Sequence, residues 1–442
     1  MSRPNALRGR LALLALVAVV GVQLRSVIVG VSPVLPALRD DLHLSYSAAG
    51  ALSAIPVLCL GAAAVPGAVL VNRYGARTIV GAGTLGLGVA ALLRLSPPVP
   101  IALYTFSALM ALCVAVAQPG VVVLLRVWFP GALQRASTVY ATALGLGGLA
   151  GATLSVQLLG LAGWRGTFVL WALPAIAVGL GWLILAPGGQ DVHQPVRSEL
   201  AAVVRDPAAW QVAALFGAQS LIYYGAATWI PFQLRGYGSG YLAFVLLLLN
   251  LAPLPVGLLL VALRWPWALS RRFYALAGVL LIVGTLGFAA RLTGLAWAWS
   301  TLISVGVAMT FSGATGLPAF FARSPGQVAG FAGLVLTAGY ALSFAGPLGG
   351  GLLVDRTQVL ASPFWLMLGS AVLLAVTGIT LPRRRLLEDA QAPDREVSDL
   401  QAPDLELADP GAPHGQPADG QGAHGDRAHG KGADGQPDGR QG

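Results

Sequence analysis

Apolar stretches of about 20 residues recur twelve times between residues 11 and 381, each closed by a short polar turn. A bilayer core about 30 Å thick takes about 20 helical residues to cross. Backbone in lipid must satisfy its own hydrogen bonds, so each stretch predicts a helix. The predicted spans are 11–36, 46–71, 77–95, 100–126, 134–161, 166–186, 208–231, 241–263, 273–291, 296–321, 327–353 and 362–381. The expectation is an all-α polytopic membrane protein whose work is done across a bilayer.

The longest polar connection runs from Ala186 to Pro207 and divides the spans six and six. It predicts an N-terminal six-helix bundle over 1–186, a cytoplasmic loop over 187–207 and a C-terminal six-helix bundle over 208–381. Residues 382–442 are rich in Gly, Asp, Pro, Gln and His. They cannot bury a core and are expected to form a disordered cytoplasmic tail. The halves echo each other. Gly21-Val22-Gln23 precedes Gly30, Pro36 and Arg39, as Gly217-Ala218-Gln219 precedes Gly225, Pro231 and Arg235. Two readings stand for this echo: duplicated halves, as in many secondary transporters, or chance similarity between Gly-rich apolar helices.

Composition sharpens the membrane reading. The chain is 56% hydrophobic and 10% charged, where a soluble chain carries about 25% charged residues. Its net charge of +9 comes almost wholly from arginine, since Lys431 is the single lysine. The arginines sit at helix ends and are not interleaved with exposed aromatics, so no nucleic-acid partner is expected. With the N-terminus inside, 16 arginines fall on cytoplasmic sides and 6 (Arg39, Arg94, Arg165, Arg235, Arg291, Arg356) on outer sides. The bias predicts a multi-pass protein of the cytoplasmic (plasma) membrane, a cell inner membrane, with both termini cytoplasmic. Arg3 to Arg10 followed by Leu11 to Val22 mimics a signal peptide. No A-x-A site follows and the apolar run continues through Val34, so it reads as the first span.

The acids are missing where chemistry would need them. No Asp or Glu occurs from Leu42 to Gln190 or from Pro207 to Val354. An enzyme, a metal site and a resident cofactor are therefore not expected. Cys59 and Cys113 lie inside apolar stretches and offer no metal or disulfide spacing. Arg25, with Gln23 two residues before it, falls near the middle of the first span. A charge at the bilayer centre costs about 2.5–3.5 kcal/mol on insertion scales, and arginine cannot shed its proton. It reads either as an anion-binding cation in a central cavity or as a clamp on the carbonyls of a broken helix. The guanidinium fork suits small oxyanions and carboxylates.

Gln219, Ser220, Tyr223 and Tyr224 share about one face of the seventh span, ahead of Trp229 and Pro231. They read as the opposite wall of that cavity; the competing reading is an interfacial Tyr/Trp belt, which suits Trp229 better than Gln219. Gln118 beside Pro119, and Tyr340 with Ser343, are further lining candidates. Gln118 could instead satisfy the carbonyl that Pro119 frees. Arg126 and Arg323 read as snorkelling anchors.

Pro66-Gly67-Ala68-Val69-Leu70-Val71-Asn72-Arg73-Tyr74-Gly75-Ala76-Arg77 resembles the loop motif of the major facilitator superfamily, a cytoplasmic latch with an Asp-Arg pair between glycines. Asn72 replaces the usual Asp, so Arg73, Gly75 and Arg77 carry the match. Gly346-Pro347-Leu348-Gly349-Gly350 resembles the glycine-proline packing motif of antiporters. Leu24-Arg25 with Pro33 and Pro36, Trp128-Phe129-Pro130, Gly163-Trp164-Arg165, Gly217-Ala218-Gln219-Ser220 with Tyr224, Trp229 and Pro231, and Gly339-Tyr340 resemble the branch that handles cyanate and nitroimidazoles. The resemblance implies twelve transmembrane helices in two six-helix bundles rocking about a central site. It also implies transport of a small solute, an anion such as cyanate or a heterocycle such as a nitroimidazole.

The functional expectation is a secondary active transporter working by alternating access. Arg25, Gln23, Gln118, Gln219, Ser220, Tyr223 and Tyr340 are its candidate substrate residues. Asn72, Arg73, Gly75, Arg77, Gly346 and Pro347 are its candidate gating residues. The expected partners are a small-molecule substrate and the lipid bilayer, with a proton as candidate coupling ion and the monomer as the unit. The alternatives are efflux of neutral compounds by the same fold and a membrane sensor without transport.

Overall fold

A computed structural model describes residues 3–188, 200–262, 270–322 and 324–381. The tail after 381 and most of the 187–207 connection lie outside the described residues, as do Arg264 and Arg323. Among the described residues all regular structure is helical. In chain order the helices are α1 (Arg3–Val29), α2 (Leu35–Asp41), α3 (Tyr46–Ala62), α4 (Ala64–Tyr74), α5 (Ala76–Leu93) and α6 (Val99–Trp128). Then follow α7 (Leu133–Leu185), α8 (Leu200–Val203), α9 (Pro207–Gln233), α10 (Ser239–Leu251) and α11 (Pro253–Ala262). The last are α12 (Arg271–Ala289), α13 (Ala296–Phe321), α14 (Pro325–Ser343), α15 (Ala345–Thr357) and α16 (Ser362–Ile379).

Starts are set by side chains that take the first free N–H groups. Ser45, Asp206, Ser270 and Ser324 each accept from a backbone N–H of the helix they precede. Nine segments of the described residues are long and apolar enough to cross a membrane. One of them, 130–185, is 56 residues long, about 84 Å of helix if straight. It is two crossings. At Gly163 the backbone leaves the helix with φ 64° and ψ −178°, a region essentially restricted to glycine that costs a residue bearing a Cβ about 1–3 kcal/mol. Across the fold-back, the Trp171 Nε1 donates to Ser155 Oγ at 2.8 Å, joining positions eight residues either side of the turn. The paired α3 and α4, and the 27-residue α9, bring the bilayer-length segments to twelve.

α9 is the centre of the packing. Almost every residue from Ala208 to Phe232 is buried, which suits a helix too polar to face lipid. α16 reaches it through Met367 against Gly225, and Ser370 Oγ donates to the Ala218 carbonyl. α14 reaches it where Gly339 faces Phe216. On the other side, α1 lies against the first part of α7, where Gly147 and Gly151 meet the Val22 and Ser26 carbonyls.

Two expectations about position need correction. Trp229 is not in an interfacial belt: it is fully buried, with ring centroids 5.2 Å from Phe232 and 6.4 Å from Tyr46. Arg94, expected at an outer surface, is 1% exposed, with its guanidinium 4.1 Å from the centre of the Phe168 ring. Both sit where α9 and α7 pack inward, information that a single helix's pattern does not carry.

Replacing Gly163 by Val forces a β-branched side chain into positive φ. We expect about 2 kcal/mol of destabilisation, read as a lower thermal unfolding midpoint in detergent. Gly160→Val, in the helical stretch just before the turn where an added Cβ meets nothing within 4 Å, should lower it less.

Candidate functional site

α1, α3, α6, α7, α9, α10, α11, α13 and α14 enclose a cavity of about 650 Å³. Its chemistry is uneven. Leu60, Val122, Leu144, Leu254, Phe311 and Leu336 make apolar walls. Arg25, Gln219, Tyr223, Tyr224, Asn250 and Tyr340 gather the polar atoms. Gln118 and Ser220 also line it. The lining residues of α6, of the first part of α7 and of the α10–α11 pair lie from mid-segment toward Trp128, Leu133 and Ala262, so the cavity extends toward that end.

Arg25 comes from α1. It reaches the cavity because Gly148 of α7 has no side chain: a Cβ there would lie 3.3 Å from Arg25 Cγ and 3.8 Å from Asn250 Oδ1. The guanidinium carbon stands 5.8 Å from the centre of the Tyr223 ring. No carboxylate pairs with it among the described residues. The ion pairs there, Arg39–Asp40, Arg165–Asp41 and Arg235–Asp40, all lie at the end where α2 and α9 finish. Arg25 is thus a permanent cation whose neighbours are aromatic faces, hydroxyls and amides.

The polar groups opposite Arg25 are organised. Tyr223 Oη donates to Asn250 Oδ1 at 2.8 Å, and Asn250 Nδ2 donates to the Leu246 carbonyl at 2.9 Å. Gln219 Nε2 donates to Ser220 Oγ. Tyr340 meets Phe216 edge-on at 5.2 Å. Beyond Tyr223 and Tyr224, away from the main cavity, lies a second space of about 30 Å³ lined in part by Ser53, Ser107 and Ala227.

The structure therefore brings Arg25, Gln118, Gln219, Ser220, Tyr223 and Tyr340 to one cavity and leaves Gln23 out. Two residues along α1 is about 200° around the helix, so Gln23 turns away from Arg25; it is buried with its Oε1 unbonded. Ser343 also stays out, bonding the Gly339 and Gly217 carbonyls instead. Among the described residues Gln118 makes no hydrogen bond to the carbonyl that Pro119 frees. Asn250 and Tyr140 line the cavity and were not anticipated. An amide inside the leucine run 246–251 is the signal that marks Asn250.

The end away from the cavity mouth is closed by α3, α9, α15 and α2. Asp355 of α15 accepts the N–H groups of Tyr46 at 2.9 Å and Ser47 at 2.8 Å. Two of the free donors at the start of α3 are thus satisfied from a helix 300 residues later. Gly50 against the Pro347 carbonyl, and Gly351 against Tyr46 and Ser47, let α3 and α15 approach this closely. Arg235 Nη2 pairs with Asp40 at 2.9 Å and donates to the Pro36 carbonyl at 2.6 Å. Gly346 sits against the Leu221 carbonyl of α9.

The loop motif lies at the opposite end. Asn72 and Arg73 are exposed. Gly75 has φ 84°, which turns α4 into α5. Arg77 Nη2 donates to the Leu183 carbonyl at 2.6 Å, and Trp182 Nε1 donates to the Arg77 carbonyl at 2.9 Å.

Comparison with known proteins agrees with this architecture. The sequence profile of the Major Facilitator Superfamily matches residues 11–344. The chain is 25% identical to the 2-nitroimidazole transporter of Escherichia coli over 85% of its own length and 96% of the relative's. It is 27% identical to the cyanate transport protein CynX of Escherichia coli, over 68% of this chain and 78% of that one. A bacterial homologue of the human lysosomal transporter Spinster, solved inward-facing and unoccupied, has the same fold, with TM-score 0.70 and 16% identity. That likeness covers 89% of this chain and 100% of the other.

Arg77→Ala removes a charged hydrogen bond to a helix-end carbonyl. We expect a loss of about 2 kcal/mol, against less than about 0.5 kcal/mol for exposed Arg73→Ala. Thermal unfolding of the two variants in detergent checks the difference.

Proposed function

This chain belongs to the Major Facilitator Superfamily, a family of small-solute transporters, and we propose that it moves a small anion or a nitrogen heterocycle by alternating access. Arg25 carries the proposal, as a guanidinium with no carboxylate partner among the described residues on the wall of a 650 Å³ cavity between helices. Names of relatives support the same classes, cyanate on one side and a nitroimidazole on the other. In this reading residues 1–186 and 208–381 are the two bundles that rock, and 187–207 is their cytoplasmic connection.

The arginine bias supports an orientation in which the end closed by Asp355 faces outward and the cavity opens to the cytoplasm. A solute entering from inside meets Arg25 at the deep end, with Tyr223 and Tyr224 blocking the way on. Moving one negative charge inward against an inside-negative potential costs about 2.3 kcal/mol per 100 mV. Uptake of a monoanion then needs a downhill gradient, exchange for another anion or a co-transported cation such as a proton. Export needs none of these.

A second reading, efflux of neutral compounds, is favoured by the apolar walls of Val122, Leu144, Leu254 and Phe311. Flux into proteoliposomes containing the purified chain separates the two. Arg25→Ala should abolish transport of cyanate or another anionic substrate while leaving the protein in the membrane. Arg25→Lys should transport poorly, because a point charge loses the planar fork. Full anion flux through the alanine variant would remove the anion reading.

The closure supports its own prediction. Asp355→Ala strips the acceptor from Tyr46 and Ser47 and favours opening outward. A loss of about 1 kcal/mol shifts the balance about fivefold. A cysteine placed at Ala227, in a background free of Cys59 and Cys113, should then react about fivefold faster with an impermeant maleimide added outside.

A further inference from the structure

The hydrogen bonds around Asn250 leave one consistent assignment of protons. The Leu246 carbonyl can only accept, so the atom of Asn250 facing it is Nδ2. Oδ1 is then the atom facing Tyr223, and Oδ1 can only accept. The Tyr223 hydroxyl must therefore give its single proton to Asn250. Of its lone pairs one faces Arg25, whose side chain hydrogen-bonds Tyr223, and the other is left for the cavity.

We infer that Asn250 is a positioning residue that fixes the polarity of Tyr223, so that the cavity selects solutes carrying an N–H or O–H donor beside their anionic or acceptor edge. The inference rests on the reading of Arg25 as the solute-binding cation. At that cation an acceptor edge is welcome. One step away, at the Tyr223 oxygen, an acceptor edge meets lone pairs and is repelled, whereas a donor is bonded. A pure-acceptor anion such as cyanate satisfies half of the pair. A planar nitrogen heterocycle with a ring N–H next to an acceptor satisfies both. Gly148 keeps the three parts together, since Arg25 and Asn250 are both within 4 Å of the place its side chain would occupy.

The test uses the full chain in proteoliposomes with 2-nitroimidazole and 1-methyl-2-nitroimidazole, which differ by the ring N–H. The wild type should bind the N–H parent about tenfold more tightly, the worth of one satisfied buried acceptor. Tyr223→Phe removes the acceptor and should bring the two solutes to within about twofold. If the methyl group acted by bulk alone, the preference would persist in that variant, and the inference would be overturned. Asn250→Leu frees the Tyr223 proton to point at the solute. It should shrink the preference for the parent and make cyanate a stronger competitor. The change should fall on the parent-to-methyl ratio of half-saturation concentrations, whereas general loosening of the fold weakens both solutes alike and leaves that ratio in place. Equal binding of the two solutes by the wild type, or an unchanged ratio in both variants, overturns the inference. Arg25→Ala stands apart as the test of the underlying reading. Retention of the wild-type affinity for cyanate there sinks the cation site, whereas the parent-to-methyl ratio reports on Tyr223 and Asn250 alone.

Discussion

A guanidinium without a counter-charge, held at the depth of a lipid bilayer, constrains everything around it. Arg25 cannot neutralise itself and has no acid to pair with among the described residues. It is tolerable only where polar and aromatic groups replace part of its hydration. Those groups cannot come from the lipid-facing sides of helices, which need apolar surfaces. Most come from α9, with Asn250 of α10 and Tyr340 of α14 beside them, and the polarity of α9 requires that it be surrounded by protein. The central place of α9 and the position of the cavity are thus two results of one charge.

The cavity follows the same division of labour. Its polar atoms collect where α1, α9 and α10 meet, and its apolar walls come from α6, α7, α11 and α13. Small residues set the distances. Glycines 147 and 151 bring α7 onto α1, and Gly148, between them, leaves room for the Arg25 stem. Packing in a membrane relies on such close contact, because lipid tails compete with any looser apolar surface.

Much of the fold was legible in the sequence because hydropathy in lipid reports a helix's existence directly. The twelve segments fall where the apolar runs predict, and Arg25 was marked by its cost. What was not legible depends on rotation and partners. Gln23 looked equivalent to Arg25 along the chain but lies about 200° away around α1. Trp229 has the composition of an interfacial residue, yet it belongs to the fully enclosed α9. Asn250 was hidden by its neighbours: only the packing of α10 against α9 puts its amide beside Tyr223. Asp355 sits one residue past a long acid-free stretch and takes its meaning from α3, some 300 positions earlier.

That last contact carries a kinetic consequence. The start of α3 is complete only while Asp355 is docked, so parting these helices leaves two amide protons and a carboxylate to be rehydrated. In the alternating-access cycle proposed above, an empty carrier would therefore idle with its mouth on one side, and the unloaded return stroke would be the slow leg. On that reading a solute that lowers the cost of parting speeds its own traffic, and counterflow with solute on both faces would outpace net movement from one face to the other.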